Sequence, residues 1–171
     1  MPRFTAAVLV LLLGALAAER PAQAKPGGSL QIYKGYVAHT WHLKPSGTKR
    51  VEGGTASDWY YSFAGKTKRG LPVELTVQAG ADKIYSQALT ITTTAGRTAD
   101  VDEVVALAER FWSEATGGHG QAVSREIAPK IAAGQPSGVA RHKDVAASLT
   151  KVGAGNQIIW VAGAEYQPVN R

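Results

Sequence analysis

Residues 71–94, LPVELTVQAGADKIYSQALTITTT, carry the plainest strand signal in the chain. Leu71, Val73, Leu75 and Val77 alternate with Pro72, Glu74, Thr76 and Gln78, which is the period of a half-buried strand. Pro72 cannot donate to a ladder, so that end belongs at an edge or ahead of regular pairing. AGAD at 79–82 then returns the chain through KIYSQALTITTT at 83–94, and the two runs predict an antiparallel hairpin.

Past Gly96 the period changes. Val101, Val104, Val105, Ala108, Phe111, Trp112 and Ala115 recur at spacings of three and four, one apolar stripe of a helix over 101–115. Asp100 is the expected N-cap, with Glu103 as its capping-box partner, and Gly117 and Gly118 are the stop. Glu109 and Glu114 fall on the solvated side of this helix. A second helix is expected near 120–133 on Val123, Ile127 and Ile131, kinked or split at Pro129. AGQPSG at 133–138 reads as a loop, 144–151 as a short helix, and Ile158–Val161 as the buried part of a final strand over 156–169.

On the other side of the hairpin, Trp59, Tyr61 and Phe63 share one face of a strand over 57–64. KPSGTKRVEGGTAS at 44–57 reads as a loop, and LQIYKGYVAHTWHL at 30–43, rich in aromatic and β-branched residues, as a long strand bent near Gly35. The order predicts an α+β fold: a mainly antiparallel twisted sheet of about five strands with two or three helices packed on one face.

The N-terminal segment MPRFTAAVLVLLLGALAAERPAQA has a basic start, a short apolar run and small residues at 22 and 24. That is the pattern of a cleaved secretory signal over 1–24, leaving a single domain over 25–171. The expected location is therefore secreted or periplasmic, with no integral membrane span after cleavage. With 44% hydrophobic and 19% charged residues, the chain of 171 residues is neither collagen-like nor a charge-dominated disordered chain. It has no cysteine, which excludes disulfides, thiolate catalysis and sulfur-ligated metals.

Charge is uneven. Residues 25–84 hold nine basic and four acidic side chains, whereas 85–171 hold eight of each. Lys44, Lys49 and Arg50 fall in one expected loop and Lys66, Lys68 and Arg69 in the next, at opposite ends of the expected pair of strands. Two basic tips do not make a continuous nucleic-acid track, which disfavours specific nucleic acid as partner. Basic side chains interleaved with Trp41 and Tyr60 suit an anionic glycan, a lipid head group or a protein partner in the envelope or extracellular space. The binding candidates are accordingly Trp41, Tyr60, Lys44, Lys49, Arg50, Lys66, Lys68 and Arg69.

Catalytic motifs are absent. There is no Gly-x-Ser-x-Gly elbow, no phosphate-binding glycine loop, and no cofactor or metal is implied. The expectation is a non-enzymatic binding protein; the alternative is a small secreted hydrolase that assembles His39, Asp58 and His119 in three dimensions.

Overall fold

The expected hairpin sets the centre of the structure. The computed structural model describes residues 27–167, so the expected signal segment lies outside the described residues. Strands β3 (Pro72–Gly80) and β4 (Lys83–Thr94) pair antiparallel across a tight turn whose two residues, Ala81 and Asp82, both have positive φ. That geometry matches the right-handed twist of the paired strands. Val73, Leu75, Val77, Leu89 and Ile91 point to one buried face, while Glu74, Thr76, Ala88 and Thr90 line the other.

The sheet has seven strands, all antiparallel, in the order β1-β2-β3-β4-β7-β6-β5. These add β1 (Lys44–Arg50), β2 (Trp59–Lys66), β5 (Ser137–His142), β6 (Val145–Ala154) and β7 (Gln157–Tyr166). The expectation of about five strands is corrected in three places. Residues 44–50 form an edge strand, not a loop; all seven are exposed, so no face alternates, and Lys and Pro are residues that blunt an edge. Part of 133–138 opens β5, and residues expected as a short helix over 144–151 form β6, whose Val145, Ala147 and Leu149 turn inward.

The expected strand over 30–43 is helical instead. Helix α1 (Leu30–Tyr36) continues as a π-helical turn (Val37–Trp41), and its buried Leu30, Tyr33 and Val37 stand at a helical spacing that aromatic composition disguised. The hairpin turn holds its start: Asp82 accepts from Ser29 Oγ at 2.8 Å and from the Gln31 N–H at 3.2 Å. Tyr33 donates its hydroxyl to Gln87 Oε1 at 2.9 Å in the interior.

Helices α2 (Thr98–Thr116) and α3 (Gly120–Ala132) complete the layer on the same face. Val104, Ala108, Phe111, Trp112 and Ala115 are buried, as the stripe predicts. Asp100 is not the cap: α2 begins earlier, and Arg69 reaches Asp100 at 3.7 Å and Glu103 at 3.6 Å. Helix α3 is not split at Pro129. Arg125, whose carbonyl the proline cannot pair, is exposed with Pro129 on the solvent side.

Candidate functional site

The pairing of β1 with β2 redraws the basic map. Lys44 opposes Ala64 near the Lys66 end of β2, whereas Lys49 opposes Tyr60 and Arg50 opposes Trp59 at the far end. Lys49 is spent locally on Glu52 at 2.8 Å, and Arg69 on the carboxylates of α2. Tyr60 lies on the sheet face opposite the helices, away from Trp41.

Trp41, Lys66 and Lys68 do come together. With Thr40, His42, Glu103, Leu107 and Arg110 they line a pocket of about 300 Å³ between the π-helical turn, the β2–β3 connection and α2. The Arg110 guanidinium lies 4.4 Å above the Trp41 ring and donates to the Thr40 carbonyl at 2.9 Å. No carboxylate pairs with Lys66 or Lys68 among the described residues.

Behind this wall stands Glu114, which was expected on the solvated side of α2. The N-terminal helical segment covers it: Trp41 Nε1 donates to Oε2 at 2.7 Å, Arg110 Nε to Oε1 at 3.3 Å, and the Tyr36 hydroxyl also bonds to it. Burial pushes the Glu114 carboxyl above its ordinary value, and the bonds from Trp41, Tyr36 and Arg110 oppose that. Burial and Glu114 together also raise the Tyr36 phenol. The native state thus holds the Glu114 proton more tightly than the unfolded chain, so this group's contribution to stability falls as pH rises from 4.5 through the raised value. Glu114→Gln keeps an oxygen for Trp41 and should remove that slope, while Glu114→Ala orphans the donors and should cost about 2 kcal/mol. Denaturant unfolding over a pH series checks both; an unchanged slope in Glu114→Gln would overturn the assignment.

The histidines are arranged differently from the expected hydrolase site. His119, at the α2–α3 corner, stacks on His142 at the end of β5, with ring centroids 4.1 Å apart. Burial holds the His142 imidazole below its ordinary value, His119 and Lys143 add to this, and Glu126 opposes it. Asp58 sits ahead of β2, five strand spacings from β5, about 24 Å at ~4.8 Å each. It accepts from the Thr55 N–H at 2.8 Å, while His39 lies exposed on the π-helical turn. The structure therefore does not bring His39, Asp58 and His119 together. Among the described residues, no group of three His, Asp or Glu side chains could hold a metal ion.

Compared with family models, curated proteins and solved structures, the chain gives no match.

Two contributors escaped the sequence reading. Arg110 was one cation on a helix some 40 residues beyond the lysines, and its role depends on where the π-helical turn lands. Glu114 lies four residues after Arg110, a spacing that could have signalled their pairing.

Proposed function

We propose that this is a non-enzymatic binding protein of the periplasm or extracellular space that holds a small anion with an aromatic or sugar-like body. The observation that carries this reading is that Lys66 and Lys68, which no carboxylate pairs among the described residues, line one pocket with the Arg110–Trp41 stack. An aromatic wall suits a planar or ring-shaped body, and two ammonium groups suit its charge. At about 300 Å³ the pocket is at the small end of ligand sites, which favours a small molecule or one terminal group over a broad surface. Export is supported by the signal-like pattern of residues 1–24. Among the described residues no helix is long and apolar enough to cross a membrane.

Calorimetric titration with phenyl phosphate, and with phenol as its neutral counterpart, tests the reading. Phenyl phosphate should bind saturably and phenol at least tenfold more weakly. The double substitution Lys66→Ala with Lys68→Ala should weaken phenyl phosphate by about tenfold or more, and Lys49→Ala with Arg50→Ala should not. Raising salt should weaken it further, because exposed charges are screened. Equal binding of the two probes, salt-independent binding, or none would overturn the proposal.

A further inference from the structure

A second cavity lies between the helices and the sheet and shares no lining residue with the lysine pocket. It has a volume of about 270 Å³, and Val105 and Trp112 of α2, Ile127 of α3, Leu149 of β6 and Trp160 of β7 form its walls. Trp112, Ile127, Leu149 and Trp160 are fully or almost fully buried, so these walls belong to the core. Ala128 and Ala132 face the cavity from α3 at positions where a larger side chain would fill it.

Both indole N–H groups are already engaged. Trp112 donates to the Gly163 carbonyl at 3.2 Å and Trp160 to Thr93 Oγ1 at 3.1 Å. The rings therefore offer the cavity apolar surface and no free donor. Its polar side chains are Ser124 and Lys151.

Lys151 is out of keeping with its row. On β6 the inward set runs Val145, Ala147, Leu149 and then Lys151, which opposes Trp160 in the ladder. Its ammonium lies 5.4 Å from the centroid of the Trp160 ring, and among the described residues no carboxylate pairs with it. Lys151 and Ala132 are exposed while the far walls are buried, so the lysine stands at the solvent end. The site thus has an apolar interior with one unpaired cation at its mouth.

We propose that this cavity binds a medium-chain aliphatic carboxylate, its chain between Trp112 and Trp160 and its carboxylate on Lys151. A polar group along the chain would find no partner among the indoles and would lose its hydration. A carboxylate at the mouth gains a charge-assisted hydrogen bond. The volume holds on the order of nine water-sized groups of about 30 Å³ each, which sets the chain near eight to ten carbons.

Titration of the full chain with decanoate below its micelle concentration, followed by tryptophan fluorescence and calorimetry, tests this. Decanoate should bind saturably and at least tenfold more tightly than decanol. Lys151→Met should remove that preference while leaving decanol unchanged, and Ala128→Phe should abolish both. Near-ultraviolet circular dichroism establishes that each variant is folded; Lys151 is exposed, so its variant stays informative even where Ala128→Phe does not fold. Lys66→Ala with Lys68→Ala should leave decanoate binding intact, which separates this site from the lysine pocket. Decanol binding as tightly as decanoate, Lys151→Met without effect, or no saturable binding would overturn the proposal. So would palmitate binding more tightly than decanoate, or uptake by anionic phospholipid vesicles alone, since the first needs a longer cavity and the second a surface.

Discussion

Phe111→Ala should lower stability by about 3–5 kcal/mol, the range for truncating a large aromatic side chain in a packed core. Phe111 is 1% exposed and lies on the buried stripe of α2 with Val104, Ala108 and Ala115. Removing the ring forfeits its burial and leaves a space that the neighbouring elements close only in part. Domains of ordinary stability have about 5–15 kcal/mol to lose, so the variant should give up roughly a fifth or more of the total. His42→Ala, at an exposed position beyond the π-helical turn, should cost under about 1 kcal/mol. Denaturant midpoints at unchanged m-value compare the two. A Phe111 variant as stable as its parent would mean that this stripe does not seal the helices to the sheet.

Gly120→Ala should destabilise by about 3 kcal/mol, near the top of the usual range for overpacking. The corner between α2 and α3 is closed by Gly117, at φ +70°, and by the Gly118 N–H donating to the Ser113 carbonyl at 2.6 Å. Helix α3 then starts at Gly120, pressed against α2. A Cβ there would collide with the Glu109 carbonyl oxygen and come within 2.6 Å of the Ser113 nitrogen. Both obstacles are backbone, so one helix must move as a body. Helix propensity argues the other way, favouring Ala over Gly by about 1 kcal/mol, and the sign of the measured change decides between them. Gly35→Ala in α1 isolates the propensity effect, because nothing lies within 4 Å of its added carbon. It should be neutral or stabilising by up to about 1 kcal/mol. Thermal or chemical unfolding of the pair makes the comparison; a stabilising Gly120→Ala would show that the corner is looser than its geometry.

The parts of the fold that were legible are those that bury one face with a full contrast against the other. Leu71 to Gln78 alternate cleanly because one side packs on helices and the other meets solvent, and the α2 stripe is equally distinct. Strand β1 lacks that contrast because it buries neither face. Strand β6 hides it in small residues, Ala146 and Ser148 outward against Ala147 inward, so that Val145 and Leu149 imitate a helical spacing. That misreading also concealed Lys151, since its significance depends on which way a strand turns it. Within the lysine pocket, Trp41, Lys66 and Lys68 were identified by residue type. Lys49, Arg50 and Tyr60 shared the same chemistry but lie elsewhere, because proximity was decided by the β1–β2 register. The His119–His142 stack joins a helix corner to the end of β5, and no local spacing announces it.

Strand β7, the last of the seven in chain order, lies between β4 and β6 and is their common partner. Residues 157–166 are thus a keystone for two sub-assemblies, β1–β4 with α1 and β5–β6 with α3, each of which ends in an open flank until they arrive. A ribosome delivers the chain from its N-terminus, so the flank of β4 waits unpaired from Thr94 until Gln157–Tyr166 follow, whereas β6 meets β7 at once across a short turn. Closure of the sheet is consequently a late, non-local event, and the interval before it is when the chain is most exposed to chaperones, proteases and mispairing with another copy.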